Sequence, residues 1–319
     1  MANSGQVIAD ALSKVDPSLH GYLCSKSAAY AKIRRARRKT GGRVKFIRKI
    51  EDLPEKYRVT LGLEPKMFFW RRINVPNGHG LIFTTEQNLR SLAASRIWYA
   101  DGVFSVTEKT YLQMYVILGN MLNDVEQKAR PLVYCIMSHK NNALYKALFD
   151  FLKSYFDENG ISLHTQYAKI DFEVAVKIAI EEIFEGRIQC NGCSFHLRQN
   201  LNRKASASNI LAKPEGCKTV NRIYALAYLP IDRVAPMVKK MKKTYKGCSD
   251  SLSLLNWFER TYVERKSQFF GWWNQWPMVE ELYPTTNNYA ESFFSSLRRL
   301  LKTNQSGLLT LVKTIQRVI

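Results

Sequence analysis

Three carboxylates and one sulfur-nitrogen run are the side chains of this chain whose type and setting could do chemistry. Asp101 interrupts the apolar alternation of "IWYADGVFSV", residues 97–106. A carboxylate inside a buried pattern is costly unless it is paired, hydrogen-bonded or bound to a metal. Asp171 ends "YAKID", where a strand pattern gives way to a helical one, near the carboxyl end of a strand, where open α/β sheets place ligands. Glu291 falls in the first turns of "TNNYAESFFSSLRRLLK", with Thr286, Asn287 or Asn288 as the cap. Each acid also has a plainer reading: Asp101 as a hairpin turn at Asp-Gly, Asp171 as a helix-start residue and Glu291 as a helix-surface residue. Carboxylate oxygens are the ligands that hard Mg2+ or Mn2+ prefers, and such ions serve phosphodiester chemistry.

The second run, "CNGCSFH", spaces Cys190, Cys193 and His196 as C-x2-C-x2-H. A structural zinc site wants four ligands, and no obvious fourth follows nearby. Cys217 and Cys248 lie further on in the chain, with nothing in the sequence to order them. The plain alternative is two small apolar thiols at a strand end with a hydrogen-bonded histidine. No Ser-His-Asp or Cys-His arrangement for covalent catalysis stands out.

The elements that must position these groups can be read from periodicity. "MFFWRRI" and "GLIFTT" read as short strands about an Asn77-Gly78 turn, and "TEQNLRSLAAS" as a helix. "IWYADGVFSV", "YLQMYVIL" and "PLVYCIMS" then read as three strands able to form a meander, joined by "TEKT" and "NMLNDVEQKAR". In "NALYKALFDFLKSYF" the apolar residues Leu144, Leu148, Phe151, Leu152 and Tyr155 recur at helical spacing. A strand ending at "QYAKID", a helix "FEVAVKIAIEEIF" and a strand "IQCNGCSFH" running into another helix follow. This order predicts an α/β fold, a mixed sheet flanked by helices. Gly102 would let the backbone pass close to the crowded acid site. Residues 197 to about 280 show hardly any strand alternation and read as a helical insertion. On the last helix Phe294, Leu297 and Leu301 would face the core, leaving Glu291, Ser295 and Arg298 as a polar stripe.

Composition narrows the partners. With 48 Lys+Arg against 27 Asp+Glu the chain carries a formal net charge of +21, which favours polyanions, above all nucleic acid. No apolar run spans a bilayer, and the N-terminus lacks a signal peptide's apolar core. Six cysteines are too few for a disulfide scaffold of this length, so reduced thiols are expected. Residues 32–49, "KIRRARRKTGGRVKFIRK", hold ten basic residues and no acidic one, a phosphate-contacting surface or a nuclear-import signal. Arg34, Arg35, Arg37, Arg38 and Lys39 of this run are candidate DNA contacts, with Arg198, Arg203 and Lys204 of "RQNLNRK" and Arg298 and Arg299 of "RRLLK". "KKMKKTYKG" adds Lys239, Lys240, Lys242 and Lys243, which cannot share one helical face. The aromatic run "FFGWWNQWP" is better suited to a helical core than to base stacking.

Taken together, these blocks resemble the Mutator-like element (MULE) transposases. "DGVF" looks like that family's first-aspartate motif, usually DGTF, and "PLVYCIMSHKNNALYKALFDFLK" is similar to its strand-and-helix block. "KIDFEVAVKIAIEEIF" resembles the second-aspartate block, "GCSFHLRQNLNRK" the Cys-x-x-His segment and "TNNYAESFFSSLRR" the glutamate block. "RRARRK", "LPEKY" and "IFTTEQNLRSLAAS" look like the stretch preceding the domain in animal members, so the resemblance runs over about residues 30–305.

The resemblance implies an RNase H-like fold with an all-helical insertion before the last catalytic helix. It implies a DDE triad of Asp101, Asp171 and Glu291, separated by 70 and then 120 residues. Two Mg2+ or Mn2+ ions, about 3.5–4 Å apart, would be held by the triad to cut and transfer DNA strands. Cys193 and His196 match a signature near the family's active site. Val103 stands where relatives usually carry threonine.

The expected organisation is a basic arm over residues 1–66, the first part of the core over 67–196, the helical insertion over 197–284 and the closing core helices over 285–319. The expected partners are transposon ends and target DNA in the nucleus, with no membrane and with room for a homo-oligomer assembled on DNA. The competing expectation is a domesticated, transposase-derived regulator that binds DNA without cutting it. The lack of a recognisable zinc-finger module upstream or zinc knuckle downstream weighs toward it.

Overall fold

In a computed structural model of the chain, residues 4–16, 18, 23–40, 52–104, 110–120, 128–301 and 306–318 are described. The chain divides into two compact units between Ile47 and Arg48. The first holds helices α1 (Ser4–Leu12) and α2 (Lys26–Thr40). The Ser25 hydroxyl accepts the Ala28 N–H at 3.3 Å and so starts α2. Arg35 on α2 is exposed. The side chains of Arg34, Arg37, Arg38 and Lys39 lie outside what is described, as do residues 41–51 of the basic run.

The second unit is built on a seven-stranded sheet. Strands β1 (Phe69–Val75) and β2 (Gly78–Phe83) form a hairpin, followed by α3 (Glu86–Ala94), whose first turn is capped by Thr85 accepting the Asn88 N–H at 3.1 Å. Val75 pairs with Gly78, so the two-residue loop is Pro76-Asn77, one residue earlier than the expected Asn77-Gly78 turn. Proline supplies the fixed φ that suits the first loop position.

Strands β3 (Ile97–Phe104), β4 (Gln113–Asn120) and β5 (Ala129–Met137) form the expected antiparallel meander. Their connections, residues 105–109 and 121–127, lie outside the described residues and take in most of "TEKT" and "NMLNDVEQKAR". Then come α4 (Asn142–Glu158), β6 (Tyr167–Ile170), α5 (Val174–Ile183), β7 (Gln189–Gly192) and α6 (Ser194–Ala207).

The strand order is β1-β2-β5-β4-β3-β6-β7, with β6 parallel to β3 and β7 parallel to β6. Burial of Leu144, Leu148, Phe151 and Leu152 seats α4 on the sheet, and Asn141 caps it by accepting the Leu144 N–H at 2.9 Å. Such leucines are worth about 2–5 kcal/mol each against alanine.

Alternation along β3 divides its side chains between two layers. Trp98 faces α3 and α5: its indole N–H donates to the Leu92 carbonyl at 2.9 Å and its ring meets Phe184 edge-on. Tyr99 faces the opposite way and meets Tyr289 of α11 (Asn288–Leu301). Helices therefore cover both faces of a mixed sheet in an RNase H-like arrangement, as the resemblance implies.

Between α6 and α11 the described residues form no strand; they form the helices α7 (Pro214–Ala225), α8 (Ile231–Thr244), α9 (Ser249–Phe258) and the short α10 (Trp276–Glu280), joined by turns and loops. Leu197, Leu201 and Ala205 of α6 join Val220, Val238, Leu255, Phe258 and Trp273 in an apolar cluster distinct from that of the sheet. Trp272 and Trp273 are buried as a core reading requires, whereas Phe270 is exposed. The chain closes with α12 (Leu308–Ile315), and Gln316 beyond it donates to the Lys56 carbonyl at 2.8 Å. No helix among the described residues is long and apolar enough to cross a membrane.

Candidate functional site

The parallel register of three strands brings the chemical groups together. Tyr99 of β3 pairs with Lys169 of β6, and Lys169 pairs with Asn191 of β7. Two residues further along each strand stand Asp101, Asp171 and Cys193. A step of two keeps a side chain on the same face. The three groups therefore form one layer at the carboxyl ends of β6 and β7, on the face that α11 covers. α11 adds Glu291 from its first turn, and its buried residues Phe294, Leu297 and Leu301 seat it as expected. Ser295 and Arg298 are exposed beside them.

Local hydrogen bonds fix one oxygen of each aspartate. Asp101 Oδ1 accepts its neighbour's backbone N–H, that of Gly102, at 2.7 Å. Asp171 Oδ1 accepts the Glu173 N–H at 3.1 Å at the start of α5, in line with its helix-start reading. Burial pushes the Asp101 carboxyl up to about 6; Asp171 adds to this, Gly102 and His196 oppose it, and Glu291 adds a further push. The three acids thus share one electrostatic field. Their donor atoms do not all lie within 4.8 Å of one another; that distance is met by Cys193, His196 and Glu291.

Asn287 ties this corner together. Its side-chain amide donates to the Ala100 carbonyl at 3.0 Å, beside Asp101, and its backbone N–H donates to Cys193 Sγ at 3.3 Å. It starts α11 through its own carbonyl, which accepts the Ala290 and Glu291 N–H groups at 3.1 and 3.2 Å. The expected side-chain cap is thus replaced by a tether to β3. Asn287 Oδ1, Glu291 Oε1 and His196 Nδ1 are buried and have no hydrogen-bond partner.

The C-x2-C-x2-H run does not converge. An odd separation along β7 turns Cys190 and Cys193 to opposite faces. Cys190 packs into the core under α5, where burial and Glu181 push its thiol up to about 12, against the pull of Lys177. Burial would raise the Cys193 thiol as well, but pairing with His196 and the Asn287 N–H outweigh it and the net shift is downward. Pairing with the Cys193 thiol lifts His196 to about 9 against the effect of its burial, with Asp101 and Asp171 adding to the rise. Cys217 and Cys248 are exposed and outside this cluster.

Sequence reasoning missed the layer beneath. Lys169 is wholly buried and donates to Asn191 Oδ1 and, at 2.9 Å, to Gln275 Oε1. Burial brings its ammonium down to about 7, with Cys193 opposing the shift. The Gln275 amide in turn donates to the Gly192 and Trp273 carbonyls at 2.7 and 2.9 Å. The signal available was a lysine two residues before an aspartate on the same strand face.

Gly102 also plays another part than expected. A Cβ there would meet Gln113 Oε1 at 2.6 Å, on the face away from the acids. The glycine makes room for the Gln113 amide, whose nitrogen donates to the Tyr145 hydroxyl at 2.6 Å. Val103 is buried.

Of the candidate DNA contacts, Arg203, Arg298 and Arg299 are exposed. Arg198 donates to Asn221 Oδ1 at 2.5 Å and lies over the Tyr224 ring, and Lys204 lies over Trp257. Lys239, Lys240 and Lys243 are exposed, while Lys242 pairs with Glu259. Lys302 lies outside the described residues.

Residues 97–200 match the family model of the MULE transposase domain, a span that holds Asp101, Asp171, Cys193 and His196 and ends before Glu291. No curated protein matches the chain.

Proposed function

We propose that this chain, which carries a MULE transposase domain over residues 97–200, cuts DNA phosphodiesters and transfers the strands, with Asp101, Asp171 and Glu291 as its metal-holding acids. One observation carries the reading: the β3–β6 register sets Asp101 and Asp171 at one level, and Asp101 feels both Asp171 and Glu291. The residues fit a divalent cation. Among the charged groups that act on Asp101 are two acids, Asp171 and Glu291, and Glu291 Oε1 is buried without a partner.

The chemistry supplied by bound Mg2+ or Mn2+ is a lowered pKa of the attacking water or 3′-hydroxyl and neutralisation of charge at the phosphorus and the leaving oxygen. The protein's share is positioning. The Gly102 and Glu173 N–H groups each hold one aspartate oxygen and leave the other for a ligand. Asn287 holds the start of α11 against β3, so that Glu291 enters from a fixed direction. Exposed Arg203, Arg298 and Arg299 and the overall charge of +21 suit the phosphate backbone of transposon ends and target in the nucleus.

A second reading, a transposase-derived DNA-binding regulator without catalysis, has one observation on its side. The donor atoms of the three acids lie further apart than those of Cys193, His196 and Glu291. The deciding experiment is cleavage of DNA bearing the flanking terminal repeats in Mg2+ or Mn2+. Wild type is expected to cut, and Asp101→Asn or Glu291→Gln to abolish cutting while DNA binding survives. Wild type that binds but never cuts gives the lead to the second reading; an Asp101→Asn variant that cuts normally overturns the site.

A further inference from the structure

Cys193, His196 and Glu291 bring a sulfur, an imidazole nitrogen and a carboxylate oxygen within 4.8 Å of one another. We propose that these three side chains form a binding site for a borderline-soft divalent metal of the zinc class, with a donor set different from that of the strand aspartates. The inference stands on this geometry and does not depend on DNA cleavage.

The donor types are the first argument. Thiolate, imidazole and carboxylate together are a zinc or cobalt set, whereas Mg2+ takes oxygen alone. Spacing is the second. A tetrahedral zinc with bonds of about 2.0–2.3 Å needs its donors about 3.3–3.8 Å apart, a rotamer-scale contraction from the separations present. Three protein donors leave the fourth position to water or another ligand.

The third argument is what surrounds the donors. His196 Nδ1 and Glu291 Oε1 are buried without a hydrogen-bond partner, and so is Oδ1 of Asn287, a residue with no exposed surface. Native proteins rarely leave such atoms unpaired, and together at one corner they point to a ligand. The Asn287 N–H on Cys193 Sγ is the kind of outer contact that orients a metal thiolate. All three donors sit at helix starts: Cys193 and His196 at the beginning of α6 and Glu291 in the first turn of α11. Those ends favour the anionic forms of thiol and carboxyl.

Binding releases the Cys193 thiol proton to solvent and requires a neutral, lone-pair-bearing nitrogen on His196. One positive dication against thiolate and carboxylate leaves the site neutral. Glu291 engaged in this way is withdrawn from Asp101 and Asp171, so occupation of the two sites is mutually exclusive.

The test is titration of the full chain with Co2+, a coloured stand-in for zinc, followed through the thiolate-to-cobalt charge-transfer band. Wild type is expected to give the band at one equivalent. Cys193→Ser should lose it, His196→Gln and Glu291→Gln should weaken cobalt binding at least about tenfold, and Asp101→Asn should keep it. Joint replacement of the exposed Cys24, Cys217 and Cys248 by serine should leave the band intact. The inference is overturned by a wild type without the band, by a band that persists in Cys193→Ser, or by one lost with the exposed cysteines. Should Cys193→Ser fail to fold, unchanged affinity in His196→Gln and Glu291→Gln overturns it equally. A chain that shows the band but does not cut DNA leaves this site standing and removes only the cleavage reading.

Discussion

On β3, β6 and β7, the layer formed by Tyr99, Lys169 and Asn191 lies directly beneath the layer formed by Asp101, Asp171 and Cys193, and the two treat charge in opposite ways. The lower layer buries a lysine completely, which brings its ammonium down to about 7, and satisfies it with two neutral amide oxygens. The upper layer gathers three acids, with the Asp101 carboxyl raised by its burial, by Asp171 and by Glu291, and leaves buried polar atoms of Asn287, Glu291 and His196 without partners. A closed hydrogen-bond network makes a rigid floor. An open one with excess negative charge is a place for a cation. The lesson is that two residues of strand, one turn of the pleat, separate a charge satisfied inside the fold from charges left open to a ligand.

The largest effect that can break this comparison concerns the floor. Lys169 has a folded pKa of about 7, below its unfolded value of 10.5. Between those values the unfolded chain binds more protons, so wild-type stability rises with pH above 7 and the benefit is absent below it. Against Lys169→Met, which cannot titrate, the stability difference should shift in favour of wild type by about 1.4 kcal/mol per pH unit from 7 to 9, about 3 kcal/mol in all. Urea denaturation of both proteins at pH 6, 7, 8 and 9 checks this. Parallel curves would mean that Lys169 stays charged and that the floor is an ion site like the layer above.

The upper layer should respond with the opposite sign and less strongly. The Asp101 carboxyl is raised to about 6 from an ordinary value of 3.8, so the folded state holds the proton more tightly. Stability is therefore lost as pH rises through 4 to 6, and the full penalty is present above 6. Partial exposure reduces the shift to about 2 kcal/mol. Asp101→Asn should be more stable than wild type by that amount at pH 8 in chelator and equal to it at pH 4. Adding Mg2+ should then stabilise wild type and not the variant, closing the gap by ligand linkage. A gap that Mg2+ leaves untouched would sever the layer's charge from metal binding.

These two layers were not equally legible in the sequence. Asp101 and Asp171 stood out because period-two alternation and a strand-to-helix switch mark their places, and the parallel pairing of β3 with β6 then sets them level. The sheet meander and α4 were legible for the same reason, since periodicity survives without knowledge of contacts. Lys169 was invisible: in "YAKID" a lysine reads as the solvent-facing member of an alternating strand. Its burial depends on Gln275, 106 residues away, arriving from the loop before α10. Cys190 and Cys193 are the converse case. Their spacing reads as a ligand pair, but a strand turns residues three apart to opposite faces, and only a helix or loop would have brought them together.

The smallest effect tests which side of β3 the glycine after Asp101 serves. If Gly102 existed to relieve crowding among the acids, an added methyl group would act on metal binding. Its Cβ would instead meet Gln113 Oε1 at 2.6 Å, on the face of Tyr145 and α4. The terminal amide of Gln113 can rotate away, at the expense of its hydrogen bond to the Tyr145 hydroxyl, which is worth about 1 kcal/mol. Gly102→Ala should therefore destabilise the protein by about 1 kcal/mol in urea, and most of that loss should vanish in a Gln113→Ala background, where the clash has no partner. Mg2+-induced stabilisation should be the same with and without the methyl. A Gly102→Ala variant whose deficit persists without Gln113, and whose response to Mg2+ is lost, would move the glycine back to the acid layer and blur the boundary between the two faces of the strand.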